Sequence, residues 1–210
     1  MRPSPERTNI TLVGYWNRMI FTPPWVDAHI FRLEADEELQ LHVPIVPVAP
    51  IKFESQAATL EVSMSRLVII PKEPTVDGLC RSEMMAVSLL SDLPDTPIRA
   101  TGVNFGFDVP APSTKLRSLL FQDDIGRIEQ LGSTIEKRRI SRTVVMPDRT
   151  LNITLGIQGA ANLQVDLNYH VEKAVRPARE ANREIDGQVL VLRQHAVELL
   201  RDVYNLALSE

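Results

Sequence analysis

Leu163-Gln164-Val165-Asp166-Leu167-Asn168-Tyr169-His170-Val171 is the stretch that decides the fold. Its apolar residues alternate without exception against Gln164, Asp166, Asn168 and His170. A period of two marks a strand with one face in a core and the other in water. Upstream, residues 140–146 and 151–157 carry the same pattern. The turns Pro147-Asp148-Arg149 and Gln158-Gly159-Ala160-Ala161 join all three into a meander. Downstream the period changes: Ile185, Val189, Leu192, Ala196, Leu199, Val203 and Leu206 recur at spacings of four and three, which predicts an amphipathic helix. Leu190, Val197 and Tyr204 widen its stripe enough to pack across a sheet, and Gly187 delays its regular start.

Towards the N-terminus, residues 113–131 read as helix, with Leu116, Leu119 and Leu120 inward and a break near Gly126. Residues 98–109 read as a strand with Val103, Phe105, Phe107 and Val109 on one face. The small face opposite, Gly102, Asn104 and Gly106, predicts that another element lies close to the backbone there. Val76, Leu79, Cys80, Met84, Val87 and Leu90 predict a helix after Pro74, capped by Thr75 or Asp77 and bounded by Pro94 and Pro97. Leu60, Val62 and Met64 alternate with polar residues, and residues 67–70 continue the strand pattern. Residues 8–21 read as a strand apolar on both sides, broken by Pro23-Pro24 and followed by an acidic connector at 34–38.

The expected class is therefore α+β: antiparallel sheet meanders, each followed by a long helix, pointing to two duplicated halves packed as one unit. The halves are 1–110, a meander-helix-strand, and 111–210, a helix-meander-helix. A short echo supports duplication, since aligning Ala57 on Ala160 sets Leu60 opposite Leu163 and Val62 opposite Val165. The plainer account is that two amphipathic strands after similar turns resemble each other through periodicity alone.

The 210 residues carry a net charge of −4, with 44% hydrophobic and 24% charged residues, so the chain has the composition of a globular domain. An acidic balance gives no global reason to expect nucleic acid or an anionic membrane as partner. Cys80 is the sole cysteine, which excludes an internal disulfide and suits a reducing compartment. No run approaches the roughly 18 apolar residues of a membrane helix, and no secretory signal pattern opens the chain. A cytoplasmic location follows by elimination.

Motifs for catalysis are absent: there is no Gly-x-Ser-x-Gly elbow, no phosphate-binding Gly-x-x-x-x-Gly-Lys, and no Gly-x-Gly-x-x-Gly after a strand. His29, His42, His170 and His195 lack metal-ligand spacing, so neither a metal nor a cofactor is expected. The pairs His170–Glu172 and His195–Glu198 fall on faces that periodicity assigns to solvent. Cys80 lies on an apolar stripe as a buried thiol. Lys137, Arg138, Arg139, Arg142 and Arg149 form the one concentrated basic stretch. Lys137, Arg138, Arg139 and Arg142 are the candidate anion contacts, although charge on an edge strand also guards against aggregation.

Pro44, Pro47 and Pro50 recur every three residues through Val43-Pro44-Ile45-Val46-Pro47-Val48-Ala49-Pro50. Together they delete backbone donors on both edges, so this cannot be an interior strand. In polyproline II the three prolines share one ridge and become candidate partner contacts. Packing on its own domain, or on the same arm of a second subunit, is the competing account, because the Val and Ile between them favour burial.

The expected function is a non-catalytic interaction or assembly protein that self-associates, with a homo-oligomer or another protein as partner. The alternative is an enzyme or small-ligand binder with a pocket between sheet and helices, for which Asn104, Asp166, Asn168 and His170 are the first residues of interest. A third reading is RNA binding through the hairpin 137–149.

Overall fold

The computed structural model describes residues 1–46, 48–120, 127–128, 130–158 and 162–208. Its strands are β1 (Arg2–Gly14), β2 (Gln40–His42), β3 (Ile51–Glu54), β4 (Ala58–Val62), β5 (Arg66–Pro71), β6 (Pro97–Val109), β7 (Lys137–Val145), β8 (Thr150–Gln158) and β9 (Asn162–Pro177). All nine form one antiparallel sheet in the order β2-β3-β4-β5-β1-β6-β9-β8-β7. The helices are α1 (Pro23–Val26), prolonged by a π-helical turn over Asp27–Phe31, then α2 (Val76–Asp92), α3 (Thr114–Ser118), α4 (Ala178–Ala181) and α5 (Val189–Tyr204). The fold is thus mixed α/β with a single antiparallel sheet. β6 pairs with both β1 and β9, so residues 1–110 and 111–210 share that sheet.

Alternation along the strands builds the core on one side. Ile10, Leu12, Leu60, Ile69, Val103, Phe105, Leu151, Leu155, Val165 and Tyr169 point to the side that carries α2 and α5, and all are buried. No described helix covers the opposite side, where Asn9, Thr11, Gly102, Asn104, Asn168 and His170 lie.

α2 begins where Thr75 accepts the Gly78 N–H, one of the two capping residues the sequence offers. Its buried face is Leu79, Ser82, Met85, Ala86, Leu89 and Leu90, while Val76 and Met84 are exposed. The predicted stripe is therefore rotated. The small residues Ser82 and Ala86 sit on the buried face, and hydropathy does not flag them. In α5 the buried positions are Val189, Leu192, Ala196, Leu200 and Tyr204. The predicted stripe repeats every seven residues, but a straight helix drifts by about 20° per seven. By the last two turns the buried line has moved from Leu199 and Val203 to Leu200 and Tyr204.

Three other expectations change. The strand expected over 8–21 runs from Arg2 to Gly14, and Pro23-Pro24 open α1 as its first residues, where proline lacks no needed donor. That short helix and its π-helical turn bury Val26, Ile30 and Phe31. Within the helix expected over 113–131, α3 covers Thr114–Ser118 with Ser113 as its cap, and residues 127, 128 and 130 are again helical; the break proposed at Gly126 lies outside the described residues. The echo aligned on Ala57 sets β4 against β9, and these hold different places in the sheet: β5 follows β4 before any helix, whereas β9 borders β6. Ala160 and Ala161, which carried half of the alignment's identities, lie outside the described residues.

Candidate functional site

The uncovered face gathers polar side chains of the central strands into one row. Asn9, Asn104, Asn168, Asn152 and Thr143 stand opposite one another on β1, β6, β9, β8 and β7. Their hydrogen bonds run in a single direction. Thr143 Oγ1 donates to Asn152 Oδ1 at 2.9 Å, and Asn152 Nδ2 to Asn168 Oδ1 at 3.3 Å. Asn168 Nδ2 then donates to Asn104 Oδ1 at 2.6 Å, and Asn104 Nδ2 to Asn9 Oδ1 at 2.8 Å. Thr11 Oγ1 donates to the same Asn9 oxygen at 2.9 Å. The row fastens five strands sideways through side chains alone. Asn152 Nδ2 also lies 3.3 Å from His170 Nδ1. An amide nitrogen only donates, so in this contact Nδ1 is the acceptor.

One position along, the β1–β6 register slips between Ser4 and Asn9. The irregularity brings Arg7 over Gly106, where an added Cβ would sit 2.3 Å from the Arg7 Cβ. The close approach expected along the small face of residues 98–109 is found at Gly106, whereas at Gly102 an added Cβ would meet its nearest neighbour at 3.5 Å. From there the guanidinium donates to Asp166 Oδ1 at 2.5 Å and to Asp108 Oδ1 at 2.7 Å.

On the other side of the asparagine row, Ala100 and Gly102 form a low floor between Val13 and Arg66 on one hand and His170 on the other. The groove that holds about 580 Å³ extends from this floor across the row to Glu6, Arg7 and Asp166. It offers hydrogen-bond donors, but the Thr11 hydroxyl donates to an amide oxygen, and Asp166 is held by Arg7. Catalysis by nucleophile or proton transfer needs a base within reach of the group it activates. Besides Asp166, which is engaged by Arg7, Glu6 and His170 also line the groove.

Asn104, Asp166, Asn168 and His170 are thus brought together on one face, though not between sheet and helices. Arg7, Asn9, Thr11, Arg66 and Asn152 join them and escape the sequence reading. Asn9 and Thr11 alternate with Ile10 and Leu12, so their shared face is legible, but the strand order that sets them beside Asn104 and Gly102 is not.

The two acid/base pairs do not form. Glu172 binds Arg99 at 3.0 Å, and His170 turns to Asn152. His195, expected in solvent, is half-buried with its ring edge-on to Tyr169, whose hydroxyl is hydrogen-bonded to His195 Nδ1 at 2.8 Å; Glu198 accepts from Gln194 instead. Burial pushes the Tyr169 phenol well above its ordinary range. Cys80 is half-buried.

The basic stretch is divided by the pleat of β7. Arg138 and Arg142 lie opposite Ile157 and Ile153 on the helix side, whereas Lys137 and Arg139 lie opposite Gln158 and Gly156 on the uncovered side. Arg149 is nearly buried, paired with Asp148 at 2.6 Å and with Gln188 at 3.2 Å. This arrangement holds the Asp148 carboxyl below its usual range, chiefly through the hydrogen bond from Arg149.

The proline segment connects β2 to β3 as an arm. Pro44 and Pro50 are half-buried, and Pro47 lies outside the described residues. The arm bends, since Ala49 N donates to Val46 O at 3.0 Å. Val48 and Pro50 line a hollow on the uncovered face with Val13, Ser65, Arg66 and Val68. Ile45 is fully exposed, and Val43, Val46 and Val48 are each more than half exposed.

Among the described residues no group of three His, Cys, Asp or Glu side chains is placed to hold a metal ion, and no helix is long and apolar enough to cross a membrane. No protein-family model matches the chain, and no curated protein matches it.

Proposed function

We propose that this is a non-catalytic assembly protein that self-associates through the arm 43–50 and the uncovered sheet beside it. One observation carries the reading: within eight residues Val43, Ile45, Val46 and Val48 all extend into solvent. Complete burial of one such side chain is worth roughly 1.5–3 kcal/mol, so four on one arm favour association strongly. Trp16 N donates to Met64 O at 2.9 Å, which brings the exposed Tyr15 and Met64 together at the neighbouring turns. No charged residue interrupts 43–50. An isologous contact, arm against arm across a twofold axis, would match this apolar surface with itself.

Light scattering coupled to size exclusion tests the reading. The expected result is a dimer or higher oligomer at micromolar concentration, converted to monomer by Ile45→Asp with Val48→Asp at unchanged helix and strand content. A wild-type chain that stays monomeric throughout the range would overturn it.

The strand order also supports reading the chain as two related copies. In each, a long strand (β1 or β6) is followed by a meander whose last strand (β5 or β9) returns beside it, and then by a helix. The repeat so defined runs from β1 to α2 and from β6 to α5, and its boundary precedes residue 110.

A further inference from the structure

On the helix-bearing side, at the β7 edge, lies a second groove of about 690 Å³ between β7, β8, α3 and α5. Its volume falls within the roughly 300–1,000 Å³ typical of small-molecule sites. Leu116, Val144, Ile153, Leu199 and Val203 line it, so its walls are chiefly aliphatic. Leu199 and Val203 belong to the apolar repeat of α5, yet the drift of the helix leaves them off the buried line. Val203 and Val144 stay exposed to solvent in the groove. The sequence thus supplies apolar side chains here that the described chain does not bury.

Two cations share the groove. The pairing of Arg142 with Ile153 places Arg142 on the apolar side of the sheet, in the same row as Ile153 and Leu167. Lys115 comes from α3. Neither has an acidic partner among the described residues. Surface cations next to a wall of aliphatic side chains, with no carboxylate to answer them, suit a ligand that has both an anionic end and a hydrocarbon end.

We propose that this groove binds a single-chain amphiphile with an anionic head, the chain lying along Val144, Ile153, Leu199 and Val203 and the head meeting Arg142 and Lys115. The site is on the opposite side of the sheet from the arm 43–50. It does not depend on self-association.

Isothermal titration of the full chain with decanoate, held below its micelle-forming concentration, tests this. The expected result is saturable binding at one site per chain, weakened about tenfold or more by Arg142→Gln and by replacing decanoate with decanol. Arg142 is exposed, so Arg142→Gln should keep the wild-type melting temperature, which separates lost binding from lost folding. The Ile45→Asp, Val48→Asp chain should bind decanoate as the wild type does, keeping this test apart from that of self-association. Absence of saturable binding would overturn the proposal, as would equal affinity for decanol. Retention on anionic lipid vesicles without binding of free decanoate would also overturn it, in favour of docking to a membrane surface.

Discussion

Gly106 is fixed by what sits above it. A Cβ there would meet the Arg7 Cβ at 2.3 Å and the Arg7 backbone at 3.2 Å, and backbone cannot swing aside as a side-chain tip can. Gly106→Ala should therefore destabilise the fold by about 1–3 kcal/mol in a urea denaturation series, the usual penalty of overpacking. Gly102, two pleats away on the same face, gives the control. Its added Cβ would find its nearest neighbour at 3.5 Å, an ordinary contact, so Gly102→Ala should stay within about 0.5 kcal/mol of wild type. Tyr169 makes a second residue-scale prediction. Burial raises its phenol above the ordinary value of 10.0, so the unfolded chain ionises first as pH rises. The stability it contributes is complete below pH 10 and is lost progressively above it. Absorbance titration should show the Tyr169 phenolate emerging only together with unfolding. Tyr169→Phe should remove that component and, at neutral pH, lose about 1 kcal/mol with the His195 hydrogen bond.

At the scale of elements, α5 has no side-chain cap of its own, because Gln188 supplies none. The cap comes from a neighbour: Glu83 of α2 accepts the N–H groups of Gln188 and Val189 at 2.7 and 3.0 Å with a single oxygen. A carboxylate at this end also complements the helix dipole. Glu83→Ala should lower stability by roughly 0.5–2 kcal/mol in chemical denaturation, and Glu83→Gln should retain part of it because an amide oxygen still accepts. Nothing local in the sequence announces this cap, since Glu83 and Gln188 meet only once the helices pack. Strands were more legible than helices for a related reason. A period of two is independent of what covers the strand, so the faces of β6, β8 and β9 could be read residue by residue. Which side of a helix is buried depends on the sheet beneath it, and the small residues Ser82 and Ala86 and the drift toward Leu200 emerge only from that packing.

For the whole molecule, what the sequence conceals is adjacency. Asn104, Asn168 and His170 were legible as one-faced polar residues, yet the row they complete needs β1 beside β6 and β8 beside β9. The proline arm was legible because three missing donors forbid an interior strand, whatever the surroundings. The basic stretch looked like one patch in sequence, but the pleat of β7 sends Arg138 and Arg142 to one side and Lys137 and Arg139 to the other. The proposed self-association and amphiphile binding use opposite sides of one sheet, so light scattering and the decanoate titration should report on them independently.

The central position of β1 bears on how the chain is made. β1 precedes both of its sheet neighbours, since Ile10 pairs with Ile69 on one side and with Val103 on the other. During translation its apolar residues and both rows of backbone donors and acceptors await partners that emerge much later. Such distant pairings slow folding and leave strand edges open to wrong neighbours. Until β5 and then β6 have been made, both edges of β1 stay open, so wrong pairing competes with folding over that interval.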